Sequence, residues 1–185
     1  CLTMIIALTG TPGTGKTTVA TRLKKKSYTV VELNRLAKEK GFVDGYDEER
    51  ECSIIDVEKL QVYLKENLFK KNEKIILDGL LSHLVKNVDL VIILRCHPGE
   101  LKKRLETKGW SERKISENVE AETLDVILCE AAETHDKSHL FEIDTTSKTP
   151  VEIAEIVDGI VNGRFNKGEY DTVSYTHLRA HETPE

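Results

Sequence analysis

Five apolar runs, at 4–9, 28–33, 74–78, 89–96 and 139–144, recur along the chain with helix-period stretches between them. Each run has the near-continuous hydrophobicity of a strand covered on both faces. Between the first two, 17–26 spaces Val19, Ala20 and Leu23 along one helical face. Strands alternating with helices in this way predict right-handed βαβ crossovers and an α/β fold on a parallel sheet. Helix boundaries are also written locally. Asp56 suits the N-cap of a helix through Lys70, Pro98 suits a first turn, and Thr149-Pro150-Val151-Glu152 combines a capping box with proline at the first helical position. Gly163 can close that last helix in a left-handed cap.

Two stretches break the rhythm. The segment 41–53 is charged, punctuated by glycine and too long for an ordinary connection, and 108–114 interrupts two helices. Long connections in compact α/β domains tend to carry function. These two fall after the second and fourth strands, where a phosphoryl-transfer enzyme places an acceptor clamp and a lid.

Chemistry enters at the end of the first run. Gly10-Thr11-Pro12-Gly13-Thr14-Gly15-Lys16-Thr17 has the phosphate-loop spacing G-x-x-x-x-G-K-[ST], between a strand and a helix as that loop requires. Glycines there remove the Cβ atoms that would keep backbone N–H groups from converging on phosphate oxygens, and the following helix aims its positive end at the same point. Gly13, Gly15, Lys16, Thr17 and Thr18 are the expected ATP contacts. Lys16 reaches the β- and γ-phosphates, and the Thr17 hydroxyl ligates Mg²⁺. Asp78, closing the third run at the carboxyl edge of the sheet, is the matching Mg²⁺ carboxylate.

Other candidates surround this pair. His83 either packs in the interior or positions water or acceptor. Lys108, Arg113 and Lys114 give the lid positive charge where the transferred group builds negative charge. Trp110 stacks on a base or packs against the core. Lys148 approaches ATP from the sheet edge, and Lys38 can meet an acceptor phosphate.

Composition narrows the class. The chain has 185 residues, 39% hydrophobic and 32% charged, enough for one core and short for two. A net charge of −5 argues against a broad nucleic-acid surface. No apolar stretch is long enough to span a bilayer, so a cytoplasmic protein is expected. Cys1, Cys52, Cys96 and Cys129 form no C-x-x-C pair, which predicts reduced, mostly packed thiols. The domain is expected over 4–163, with 164–185 a polar, aperiodic, non-native or disordered tail. The spaced pair His177 and His181 falls in that tail. Cys1-Leu2-Thr3 is expected to precede the natural start at Met4.

With these residues in hand the chain resembles the adenylate kinase isoenzyme 6 family, and its archaeal members most. The resemblance rests on the phosphate loop, on Asp44-Gly45-Tyr46-Asp47-Glu48-Glu49, and on Lys114-Ile115-Ser116-Glu117-Asn118-Val119-Glu120-Ala121-Glu122. It implies a P-loop NTPase fold of the nucleoside monophosphate kinase type, with a five-stranded parallel sheet, a small acceptor-binding insert at about 33–56 and a short lid at about 108–114. It implies ATP + AMP ⇌ 2 ADP with Mg²⁺, beside an ATPase activity, with Lys16, Asp78 and Lys108 catalytic. Asn34, Lys38, Asp44 and Gly45 become the AMP contacts. It further implies maturation of the small ribosomal subunit through a ribosomal protein of the uS11 type.

Two positions depart from the family pattern. Leu80 stands where a histidine usually follows the strand-end aspartate by two residues. Lys108 stands where arginine is usual, keeping charge and losing bidentate contacts. Slower transfer, with binding retained, is the expected result. Two other readings compete: a nucleotide-switched ribosome assembly factor whose acidic segment attracts a basic partner, and a small-metabolite kinase. A GTPase is disfavoured, since no N/T-K-x-D motif follows the fourth strand.

Overall fold

The computed structural model describes residues 2–70 and 72–164. Strands β1 (Met4–Gly10), β2 (Thr29–Glu32), β5 (Lys74–Asp78), β6 (Leu90–Arg95) and β7 (Leu140–Asp144) form one parallel sheet in the order β2-β5-β1-β6-β7. All five expected strands are present; β1 runs one residue further, to Gly10, and the others lose at most one residue at either end. β1 is central because both its faces are needed. Ile5 and Ala7 point to the layer holding Leu60, Leu64 and Ile127, while Ile6 and Leu8 point to the layer holding Val19, Leu23, Ile153 and Val157.

Helices α1 (Lys16–Lys24) and α7 (Pro150–Val161) cover the second of these faces. α2 (Leu33–Lys40), α3 (Val57–Asn67) and α6 (Val126–Thr134) cover the first. The predicted caps form: Asp56 accepts from Lys59 N, Pro98 opens α4 (Pro98–Glu106), and Thr149 with Glu152 makes the reciprocal box of α7. Gly163 follows that helix at φ 69°. Under the lid, Cys96, Leu101, Leu105 and Ile115 form a third, smaller cluster, which joins α4 to α5 (Glu112–Thr123).

One sequence expectation needs correction. The charged segment 41–53 contains strand β3 (Val43–Asp47) paired antiparallel with β4 (Cys52–Ile55), a two-stranded hairpin. Main-chain hydrogen bonds hold it, with few buried side chains, so the hydrophobic pattern carried no strand signal. The thiols also differ from expectation, because Cys52 and Cys129 are exposed and Cys96 alone of the described three is buried. Cys1 and the tail histidines lie outside the described residues. No helix among the described residues is long and apolar enough to cross a membrane.

Candidate functional site

The carboxyl ends of β1 and β5 open into a cleft of about 1640 Å³. Open α/β sheets bind ligands at this edge. Its floor is the phosphate loop. Gly10, Gly13 and Gly15 take φ of 151°, 94° and 94°, conformations that L side chains rarely adopt. A Cβ on Gly10 would lie 2.6 Å from the Leu94 carbonyl oxygen. Thr14 closes the loop on itself through Oγ1 to the Thr11 carbonyl at 2.8 Å. α1 starts at Gly15 with no side-chain cap, whereas α3, α4, α5 and α7 each begin with one. Gly15, Lys16, Thr17 and Thr18 line the cleft, so the uncapped first-turn N–H groups open onto it as an anion site.

Lys16 lies across the loop, its Nζ donating to the carbonyls of Gly10 at 2.5 Å and Thr11 at 3.3 Å. Burial pushes its ammonium down to about 8, against the pull of Asp78. Asp78 is 7% exposed at the end of β5, and burial holds its carboxyl above the usual range while Lys16 pulls the other way. Thr17, Thr18 and Asp78 all line the cleft. A hydroxyl and a carboxylate are the hard oxygen donors that Mg²⁺ takes from a protein when phosphates and water complete its shell, so the residues fit that ion.

The opposite walls carry the remaining candidates. Asn34 and Lys38, with Arg35, come from α2. Lys108, Trp110, Arg113 and Lys114 come from the lid turn and the first turn of α5. Trp110 packs on the third cluster and faces the cleft, with Lys114 Nζ 4.1 Å and Lys108 Nζ 5.1 Å from its ring. Both cations are thus held over an aromatic face at the rim. The hairpin reaches the same rim, where Glu49 accepts from Arg113 at 2.8 Å and Glu51 lies 3.8 Å from Lys114. Leu80 is on the wall, 36% exposed.

Three expected contacts stand apart. Asp44 and Gly45 are exposed on β3 and do not line the cleft. Lys148 donates to the Asp144 carbonyl at 3.0 Å, beyond the lining residues.

Several site residues escaped sequence reasoning. Arg104, which follows Lys102 and Lys103 on α4, lines the cleft and donates to the carbonyls of Gly13, Thr145 and Thr146. It ties the phosphate loop to the turn after β7. Glu122 of α5 accepts from the Thr11 hydroxyl at 2.5 Å, and its other oxygen accepts from the buried Arg95. Arg95 also bonds Asp125 and Glu142. Burial opposes its charge, and these carboxylates more than offset it, holding the guanidinium well above its ordinary range. Glu130 of α6 lines the cleft beside His83. The only signal for Arg104 was its spacing three residues from Leu101. For Arg95 it was a charge closing an apolar strand.

Comparison with known proteins agrees with this architecture. A family model described as an AAA domain matches residues 6–125. Archaeal relatives named "Putative adenylate kinase" align over most of their length. The Methanosarcina acetivorans protein is 44% identical, covering 87% of this chain and 90% of its own. The Archaeoglobus fulgidus protein is 43% identical over 97% of both, and the Pyrococcus abyssi protein 45% identical over 85% and 84%. Among solved structures, TT1252 from Thermus thermophilus superposes with a TM-score of 0.59 at 17% identity, covering 90% of this chain and all of that one. YorR from Bacillus subtilis, in complex with phosphorylated GDP, superposes at 0.57 and 18% identity, covering 87% and 97%. These two share the fold.

Proposed function

The chain belongs to this adenylate kinase family and is a nucleotide kinase, and from that premise we propose that it catalyses ATP + AMP ⇌ 2 ADP with Mg²⁺, beside a slower hydrolysis of ATP. The observation that carries the reading is one continuous cleft joining the phosphate loop to the basic faces of α2 and the lid. Ordinary small-molecule pockets measure about 300–1,000 Å³, so this cleft has room for two nucleotides facing each other.

Roles follow from position. Gly13, Gly15, Lys16, Thr17 and Thr18 hold the donor phosphates by backbone N–H groups and one ammonium. Lys38, with Arg35 and Asn34, faces the acceptor phosphate. Lys108 and Lys114, held over Trp110, bring charge to the transferring group. Little covalent work is required of the protein, which positions the reactants and stabilises charge. Thr17 and Asp78 would hold Mg²⁺, which when bound neutralises charge on the β- and γ-phosphates. The contact of Glu49 with Arg113 brings insert and lid together at the rim of the cleft. Asp44, Gly45 and Lys148 have no part in this arrangement.

A second reading, a nucleotide-switched factor docking a basic ribosomal partner in the cytoplasm, draws on the acidic hairpin. Of its five carboxylates, Glu49 and Glu51 already face Arg113 and Lys114 and Asp47 faces Arg50, leaving Asp44 and Glu48 to attract a partner. A coupled assay separates the readings by comparing phosphate release from ATP alone with ADP formation when AMP is added. AMP-dependent ADP formation that dominates turnover is expected. Turnover indifferent to AMP would overturn the kinase assignment.

A further inference from the structure

The spacing G-x-x-x-x-G-K-[ST] leaves its second position free, yet this chain places a buried hydroxyl there. Thr11 is 3% exposed, and its Oγ1 gives its single hydrogen to Glu122 Oε2 at 2.5 Å. A hydroxyl bonded to a carboxylate at this length is among the strong hydrogen bonds. Glu122, buried to the same degree, is itself held from two sides. Arg95 donates from Nε to its Oε1 at 2.5 Å and from Nη2 to its main-chain carbonyl at 3.0 Å. Side chain and backbone of the carboxylate residue are therefore set before any ligand arrives.

On the loop side, contacts converge on the Thr11 carbonyl. It accepts from Thr14 Oγ1 at 2.8 Å, from Thr14 N at 3.2 Å and from Lys16 Nζ at 3.3 Å. Pro12, next in the chain, has no N–H to add. Of these contacts, the one from Lys16 is the one that a donor nucleotide competes for, because Nζ also has to meet the β- and γ-phosphates.

We infer that Glu122 is a positioning residue for the donor nucleotide: acting through the Thr11 hydroxyl, it keeps the first peptide of the loop in its phosphate-binding shape while Lys16 exchanges a loop carbonyl for a phosphate oxygen. The inference rests on the reading of the cleft as the ATP site. Without the bond to Glu122, that peptide has to be ordered as ATP arrives, and the cost is read as lost affinity. The acceptor half stands on a separate element, α2, which supplies Asn34, Arg35 and Lys38. Its affinity for AMP is independent of the Thr11 hydroxyl.

Thr11→Val and Thr11→Ser test this, since valine keeps the branched shape without the hydroxyl and serine keeps the hydroxyl without the methyl group. Thr11→Val is expected to weaken ATP binding about tenfold in equilibrium titration, as for the loss of one hydrogen bond to a charged group, and Thr11→Ser to restore it. AMP, titrated alone, is expected to bind both variants as it binds the wild type. Unchanged ATP affinity in Thr11→Val would overturn the inference, as would a serine variant as weak as the valine one. A loss shared equally by ATP and AMP alongside a lowered Tm would also overturn it, because a bond that only stabilises the fold predicts that pattern. A wild type that binds ATP and forms no ADP from AMP sinks the kinase reading, and the ATP titrations still decide the role of Glu122. Should Thr11→Val fail to fold, proton NMR of the wild type decides: a Thr11 hydroxyl proton protected from exchange both with and without ATP is expected, and its loss on adding ATP refutes the assignment.

Discussion

Replacing Arg95 by methionine removes one cation from the centre of three carboxylates. Arg95 is 2% exposed, and Glu122, Asp125 and Glu142 are 3%, 6% and 17% exposed. Methionine fills much of the same space, so the main effect is electrostatic. Breaking a buried ion pair by deleting one partner costs about 3–5 kcal/mol. A domain of this length loses about 2–4 °C in Tm per kcal/mol, so the variant should melt about 6–20 °C below the wild type at pH 7.

The pH dependence carries the sharper test. Glu142 is already held above the usual carboxylate range, because burial outweighs the pull of Arg95. Without the guanidinium it rises further. A carboxyl whose folded value is raised contributes stability at low pH and loses it as pH rises, so the deficit should shrink between pH 7 and pH 5. Thermal unfolding followed by circular dichroism at both values measures it. Adding Glu122→Gln to the Arg95 variant should recover part of the loss, since one uncompensated charge is gone. A deficit below about 3 °C, or one equal at both pH values, would refute the electrostatic account of this cluster.

Three further outcomes are expected. Lys16, pushed down to about 8, must regain its proton to hold a polyphosphate, so ATP affinity should fall about tenfold per pH unit above 8, with proton uptake on binding; calorimetry in buffers of different ionisation enthalpy reads this, and pH-independent binding without proton uptake would contradict it. Gly10→Ala places a Cβ 2.6 Å from a backbone carbonyl oxygen and 2.7 Å from Thr14 Oγ1, so it should abolish ATP binding in equilibrium titration, while Gly41→Ala, with open space at φ 72°, leaves it intact. Arg113→Ala removes an exposed contact with Glu49, so Tm should stay unchanged while KM for AMP rises, and high salt should reproduce that rise in the wild type alone.

The fold was legible where a physical requirement acts over a short stretch of chain. Strands buried on both faces must be apolar, a phosphate loop must have glycine where φ is positive, and a helix start must offer a cap, so β1, the loop and α7 were readable residue by residue. The hairpin at 43–55 was not, because its strands are held by their own main-chain ladder and bury little, leaving charged and glycine residues free to occupy it. Lys148 illustrates a second limit: it follows β7 at the right sheet edge, yet its ammonium folds back to the Asp144 carbonyl.

The parts of the site that sequence reasoning missed are pairwise requirements between distant positions. Arg95 and Glu122 are 27 residues apart, and Thr11 and Glu122 are 111 apart. Each alone is an ordinary charged or hydroxyl residue in an ordinary element. Together they fix the phosphate loop to the helix that begins at the lid, through a carboxylate that cannot move without leaving Arg95 underpaired. Any lid movement therefore has to be absorbed ahead of α5, at the turn around Gly109, where φ is 70° and a Cβ would meet nothing, while Glu122 keeps α5 anchored under the loop.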